Sequence, residues 1–399
     1  MTATDGHVRL KDGRPLAGVR VLEFGHFVAG PFAGTLLSDL GADVVKIEPL
    51  TGDALRGENA APFMSANRGK RAIALDIKAD GGAGIVEAAT QWADVVTHNF
   101  RPGVDKRLGI DAATLRARKP GIVVVQSTAY GPDGPKAALP GFDTLLQGFA
   151  GHFVQAGGDE TRPLAYRFSH VDYASGMMGA LGVVSALYAG RRGGTAPSVN
   201  VSLMNTAVFM LSQLVREADG QFHGLPTLSE DRTGFSPAES LYRAADGWLA
   251  VAALGEPAGR RLAEALDLPR VAELPTSQWG EREKQEIGEA ISRQTVQAAV
   301  GSLRQSGVWA EPVQTEPVPA LMSDEGMVAA GTAFVVDSVD GAVQRSQPGR
   351  IASFRRLSNQ LTAADAHVPE LGEHTREFLA ELGYGPADID DLVARGVVR

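Results

Sequence analysis

Short apolar runs rich in β-branched residues alternate with helix-like stretches through the first third of the chain, and this alternation restricts the fold more than any other feature. Residues 19–24 (VRVLEF) read as a strand, 31–40 as a helix closed by Gly41, and the following run ADVVKIEP as a second strand. A helix over 80–92, a strand over 93–99 (ADVVTHN), a helix over 112–118 and a strand over 122–128 (IVVVQST) continue the pattern. Strand, helix and strand at these lengths form crossover units, so neighbouring strands run parallel. The expected class is α/β, with an open, mostly parallel sheet covered by helices on both faces. Ligands of such sheets bind beyond the carboxyl ends of the strands, which singles out the loops after Phe24, Ile47, Asn99 and Thr128.

The first of these loops, GHFVAGP, carries Gly25 and Gly30, with Gly34 beyond, but not the G-x-G-x-x-G spacing, and no P-loop signature follows. That argues against NAD and ATP. Two other segments gather cations: Asn67, Arg68, Gly69, Lys70 and Arg71, then Asn99, Phe100 and Arg101 with Lys106 and Arg107 just after. The chain as a whole is acidic, with a net charge of -9 and no basic block, so nucleic acid is a poor partner. Local Arg and Lys suit a phosphorylated ligand, and an exposed aromatic can stack on a base. Solvated surface charge is the plain alternative. The absence of Cys excludes disulfides, a thiolate nucleophile and any Cys-built metal site.

A second anchor is the stretch 167–192, RFSHVDYASGMMGALGVVSALYAGRR, in which Met177, Ala180, Leu181, Val184 and Leu187 recur at spacings of three and four. The spacing predicts a long helix packed on that face. Asp172 stands at its start, where unpaired N–H groups and the helix dipole favour an ionised carboxylate. Such a carboxylate can attack an activated acyl carrier, although Asp is also a common helix cap. The Gly-rich apolar run over 141–158 suits a wall beside it.

Residues 1–220 are expected to form the large domain, 221–235 a polar linker, and 236–317 a smaller α+β domain with a hairpin over 240–252 around Asp246-Gly247. Residues 318–399 then supply a linker and tail, with a strand-like AFVVDSV and helices over 374–382 and 386–395. The polar start, MTATDGHVRLKDGRPL, lacks the apolar core of a signal peptide, and no run reaches the length of about twenty apolar residues that spans a bilayer. A cytoplasmic location is expected.

Several segments together resemble the family III CoA-transferases, also called the CaiB/BaiF family. They are PLAGVRVLEFGHFVAGPFAGTLLSDLGADVVKIEP, NRGKRAIALDIK, ADVVTHNFRPGVDKRLGID, the PGFD at 140–143, DYASGMMGALGVVSALYAGRR, AADGWLAVAA and ELGEHTREFLAELGY, in the family's order. The resemblance implies a Rossmann-like domain built from the N-terminal part and the C-terminal tail, a smaller domain between them, and an interlocked homodimer. It implies coenzyme A, as acyl-CoA substrate and product, with a carboxylic acid as second substrate and with neither metal nor NAD. Asp172 matches the family's nucleophile, which passes through a covalent aspartyl intermediate. Val28 and Ala29 match the reaction-centre loop, although some transferases carry Gln where Val28 stands. Asn67, Arg68, Gly69, Lys70, Asn99, Phe100, Arg101, Lys106 and Arg107 match its CoA-binding positions. The acyl pocket is assigned to Phe142, Asp143, Tyr166 and Met177, and its apolar lining favours a hydrophobic acyl group.

The alternative within the same superfamily is an α-methylacyl-CoA racemase. That chemistry needs an acid and a base on opposite faces of the substrate carbon, and Phe142 stands where the racemases carry His. His152 and His170 lie off that motif and are expected to be packed or hydrogen-bonded. A non-catalytic CoA-binding homologue is a third reading, and it would not require Asp172.

Overall fold

The computed structural model describes residues 13–57, 60–157, 161–193, 198–224, 228–229, 231–314, 324–337, 344–351 and 363–399. The start of the polar tail, residues 1–12, lies outside them. The alternation read from the sequence becomes β1 (Arg20–Glu23), α1 (Ala29–Asp39), β2 (Asp43–Glu48), α2 (Ala61–Asn67), β3 (Arg71–Ala74), α3 (Gly82–Trp92), β4 (Val95–His98), α4 (Val104–Leu108), α5 (Ala112–Arg118) and β5 (Val123–Thr128). Then come α6 (Asp143–Ala150), α7 (His152–Gln155), the long α8 (His170–Arg191), β6 (Val199–Ser202) and α9 (Leu203–Met210). The six strands form one sheet in the order β3-β2-β1-β4-β5-β6, with every pair parallel. This is the doubly wound order, in which the chain reverses direction beside β1 and opens a crevice at the strands' carboxyl ends.

Successive residues of each strand feed opposite layers. Val21, Val44, Val95, Val123 and Val125 pack with Ala33 and Leu37 of α1 and with Ala180 and Val183 of α8. On the other face, Leu22, Val45, Val96 and Val124 pack with Ile85 of α3, Leu115 of α5 and the tail residues Phe378, Leu379, Ile389 and Leu392. The tail is thus part of the core. Val398 bridges Leu75, and the Val397 carbonyl accepts the Asp76 N–H at 2.9 Å.

Two compact units are distinguished: Met1–Ala156 with Leu164–Leu211 and Leu321–Arg399, and Gly157–Pro163 with Ser212–Ala320. The second begins upstream of the linker expected at 221–235. In it β7 (Val215–Arg216) and β8 (Phe222–His223) form a separate two-stranded ribbon, and β9 (Gly234–Ser236), β10 (Glu239–Arg243), β11 (Trp248–Ala252) and β12 (Trp309–Pro312) form a sheet in the order β12-β11-β10-β9. Strands β10 and β11 pair antiparallel around Asp246-Gly247, the hairpin that the sequence marks. Tyr242, Leu249 and Val251 pack there against Leu262, Ile287 and Leu303. Among the described residues, no helix is long and apolar enough to cross a membrane.

Beneath α1 lies a buried ionic cluster. The three N–H groups of Lys70 Nζ are shared among five acceptors: both Glu23 carboxylate oxygens at 2.9 Å, the Pro31 and Ala66 carbonyls at 2.7 and 2.8 Å, and Asn67 Oδ1 at 3.1 Å. Lys46 Nζ lies 3.6 Å from Glu23 and 3.2 Å from Asp53. Gly34 makes room for this pair, since a Cβ there would sit 1.9 Å from Glu23 Oε2. Burial outweighs the Glu23 attraction and lowers the Lys70 ammonium to about 8.

Removing one partner of such a pair strands the other charge. Lys70→Met is expected to cost about 3–4 kcal/mol in urea unfolding, and Glu23→Gln added to it to recover part of that loss. A loss below about 1 kcal/mol for the single variant would show that the cluster does not brace the fold.

Candidate active site

Strand β1 delivers the chain into the loop Gly25–Val28, and that loop is held from several sides. Asn99, just past β4, lies against the His26 peptide: Oδ1 accepts the His26 N–H at 2.9 Å, and Nδ2 donates to the His26 carbonyl at 2.7 Å. Lys46 Nζ donates to the Gly25 carbonyl at 2.6 Å, and the Phe27 N–H points to Asp53 Oδ1 at 3.4 Å. Phe27 has φ +62°, a left-handed conformation that is costly for a bulky side chain and that persists only where neighbours impose it. Its ring meets Phe142 edge-on, with centroids 5.3 Å apart. The loop then enters α1, and among the described residues the N–H groups of Val28 and Ala29 donate to no partner.

Helix α8 reaches this point because the face it turns to α1 has almost no side chains. A Cβ on Gly176 would lie 2.9 Å from the Ala29 carbonyl oxygen and 3.0 Å from the Phe32 ring, and one on Gly179 would lie 3.2 Å from Ala33 Cβ. The buried face comprises Val171, Ser175, Gly176, Gly179, Ala180, Val183 and Ala186. Of the face expected from the spacing, Ala180, Val184 and Leu187 do pack against the core, whereas Met177 and Leu181 are 38% and 57% exposed. Small residues escape a pattern search for large apolar ones.

Asp172, one turn before Gly176, shares a cavity of about 350 Å³ with Phe27, Ala29, Asn99, Phe100, Arg101, Ser127, Thr128, Phe142 and Leu203. It is the third residue of α8, and Ser169 occupies the cap position, so Asp172 is not the cap. Its own N–H donates to Asp143 Oδ2 at 2.9 Å, and no hydrogen bond among the described residues reaches its carboxylate. Burial and then the Asp143 charge push the Asp172 carboxyl up to about 7. The helix dipole was expected to favour the ionised form, but desolvation and a like charge outweigh it here.

The other expected residues divide into groups. Ala29, Asn99, Phe100, Arg101 and Phe142 line the cavity with Asp172. Val28 is buried beside it, and Asp143 is buried beneath the start of α8, where Gln147 also donates to it. Tyr166 packs on His170 with ring centroids 4.7 Å apart, and neither Tyr166 nor Met177 lines the cavity. Lys106 and Arg107 stand exposed on α4.

The 67–70 segment precedes β3 and is taken up internally. Asn67 Nδ2 donates to the Phe63 carbonyl, and Arg68 forms a bidentate pair with Asp39 at 2.5 and 2.8 Å. The Gly69 carbonyl accepts from Ser38, and Lys70 is enclosed with Glu23. These groups are not offered to a phosphate in the cavity. The expected histidines are a hydrogen-bonded pair: His152 Nδ1 and His170 Nε2 are 2.9 Å apart, and His152 Nε2 bonds the Ala207 carbonyl. His26, Ser127, Thr128 and Leu203 were not singled out from sequence, although three of them sit in or next to the loops marked after β1 and β5.

A doubly wound sheet with a carboxylate and a free helix start at its carboxyl edge defines the general class, an α/β enzyme acting on a small ligand. Residues 16–375 match the model for CoA-transferase family III, and the chain belongs to that family. It is 29% identical to the succinate–glutarate CoA-transferase of Agrobacterium fabrum, over 92% of this chain and 96% of that protein. It is also 29% identical to the "probable fatty acyl-CoA transferase Rv3272" of Mycobacterium tuberculosis, over 92% and 98%. The crystal structure of Rv3272 superposes with a TM-score of 0.78 at 28% identity, covering 92% of this chain and 100% of that one. A CaiB/BaiF family protein of Brucella suis gives 0.78 at 25% identity, covering 92% and 99%. The protein is therefore an enzyme that acts on acyl-CoA and carboxylic acids.

An acid whose carboxyl is raised in the fold gains stability when protonated, fully below pH 4, and loses it as pH rises towards 7. Asp172→Asn has no charge to bury. Its stability advantage over wild type is expected to grow between pH 4 and 7 and to level off near about 2 kcal/mol, a value reduced from the full shift because the cavity is open to solvent. Urea unfolding at pH 5 and pH 8 checks this, and equal stabilities at pH 8 would contradict the raised carboxyl.

Proposed function

We propose that this enzyme moves CoA from an acyl-CoA to a free acid through covalent intermediates on Asp172. The carboxylate attacks the thioester carbonyl, the C–S bond breaks, and CoA leaves as the thiolate, giving a mixed anhydride between the acyl group and Asp172. The thiolate then attacks the Asp172 acyl carbon, releasing the donor acid and leaving an aspartyl-CoA thioester. The acceptor carboxylate displaces CoA to form a second anhydride. Thiolate attack on the acceptor carbonyl completes acceptor acyl-CoA and frees Asp172. Each tetrahedral oxyanion needs preorganised donors, and the unpaired N–H groups of Val28 and Ala29 at the start of α1 are assigned that role.

The observation that carries this reading is the Asp172 carboxylate, which among the described residues has no hydrogen bond and shares one cavity with that helix start. A desolvated carboxylate with its carboxyl near 7 is a stronger nucleophile than one at the ordinary value, and part of it is ionised at neutral pH. Arg101 lines the same cavity, and Lys106 and Arg107 are exposed one turn further on. These three cations are assigned to the CoA phosphates. His26 and Phe100 also line a second cavity of about 470 Å³ with Leu50, Ile77, Lys78 and Leu108, which suits the nucleotide end of CoA. Asn99 acts by holding the His26 backbone. Phe142, Phe27 and Leu203 give the reaction centre an apolar lining that favours a hydrophobic acyl group.

A homodimer is part of this proposal. Phe149, Leu181, Tyr188 and Phe209 of the first unit are 57–70% exposed, more large apolar surface than one chain covers.

The test is transfer of CoA among a panel of acyl-CoAs and free acids, followed by chromatography and mass spectrometry. New acyl-CoA species are expected with wild type, and a loss of more than about a thousandfold with Asp172→Ala. The kcat/KM for acyl-CoA is expected to rise about tenfold per pH unit up to about 7 and then level off. Deuterium uptake at the acyl α-carbon without CoA exchange would replace this reading with racemisation.

A further inference from the structure

The last two residues of β5 present buried hydroxyls that the fold leaves unused. Ser127 and Thr128 are 7% and 6% exposed, both line the cavity that holds Asp172, and among the described residues neither Ser127 Oγ nor Thr128 Oγ1 has a hydrogen-bond partner. Buried polar atoms are nearly always paired, and an unpaired one calls for a ligand or water to complete it. Two adjacent orphans at the carboxyl end of a central strand, in the crevice of a doubly wound sheet, stand where a bound molecule would satisfy them.

Strand geometry gives the two hydroxyls different sides. Ser127 shares a face with Val123 and Val125, which pack against α1 and α8, the helix that carries Asp172. Thr128 shares the opposite face with Val124 and Gln126, and Gln126 Nε2 points to the Phe100 carbonyl at 3.4 Å, beside Arg101. Ser127 therefore belongs to the Asp172 side and Thr128 to the Arg101 side.

We propose that these hydroxyls bind the two amides of the pantetheine arm, Ser127 the amide nearer sulfur and Thr128 the amide nearer the phosphates. The inference rests on the CoA-transferase reading and deepens it. A ligand lying between Asp172 and Arg101 with its thioester at the first and its phosphates at the second must place its intervening groups past β5. In CoA those groups are two successive amides. A hydroxyl can donate to an amide carbonyl and accept from an amide N–H, so each orphan matches one amide.

The test uses Ser127→Ala and Thr128→Val in the full chain, with calorimetry of CoA and of 3′,5′-ADP, which lacks the pantetheine arm. Each variant is expected to bind CoA about tenfold more weakly, and 3′,5′-ADP as tightly as wild type does. Because the hydroxyls have no partner among the described residues, the thermal midpoint of the unliganded variants should be unchanged or higher. Turnover of an N-acetylcysteamine thioester, which keeps only the amide nearer sulfur, should fall with Ser127→Ala and not with Thr128→Val. Unchanged CoA affinity in both variants, or a lowered midpoint with equal loss for both ligands, would overturn the assignment. Failure of wild type itself to bind CoA would instead overturn the functional reading on which it rests.

Discussion

The start of α1 is fixed by close contact above and by buried charge below, and the site depends on both. From above, α8 comes down on it across Gly176 and Gly179, and a Cβ on Gly176 would lie 2.9 Å from the Ala29 carbonyl oxygen, too close for the helices to keep this approach. From below, Lys70, Glu23, Lys46 and Asp53 form a solvent-free ionic cluster whose hydrogen bonds end on the Pro31 and Gly25 carbonyls. Held this way, the loop tolerates the left-handed Phe27 and leaves the Val28 and Ala29 N–H groups without an acceptor among the described residues. The helix contact that brings α8 to α1 is also what brings Asp172 to the same cavity.

The electrostatics of Asp172 follow from that placement. A carboxylate at a helix start is normally stabilised by N–H groups, but here Asp143 accepts the local N–H, and its charge opposes a second one nearby. The two acids differ: Asp143 is a buried acceptor that anchors the helix, and the Asp172 carboxylate at the cavity wall has no hydrogen bond among the described residues. Stability is given up at that wall, which fits the proposed role of Asp172 as a group left unsatisfied until substrate arrives.

Much of the fold was legible in the sequence, because strands such as 122–128 and helices such as 112–118 carry their period and their punctuation locally. The hairpin around Asp246-Gly247 was legible for the same reason. At the site, Phe100, Arg101, Phe142 and Asp172 stood in segments that strand order or family resemblance marks. The rest depends on partners far along the chain. Lys70 meets Glu23, 47 residues away, and Arg68 meets Asp39, 29 residues away, so the side chains of two cations that read as ligand groups are paired with carboxylates of the fold. Asp143 is likewise 29 residues from Asp172, so the raised carboxyl could not be read from the helix start alone. The small-residue face of α8 was hidden because glycines contribute nothing to an apolar pattern.

The central claim is a covalent bond to Asp172, and it is tested most directly by trapping that bond. Wild type would be incubated with the acyl-CoA that it turns over fastest, in the presence of hydroxylamine, and its peptides mapped by mass spectrometry. The account predicts a hydroxamate on the peptide that contains Asp172, dependent on acyl-CoA. Its absence from an enzyme that demonstrably transfers CoA, or its appearance on a different carboxylate, would contradict the account.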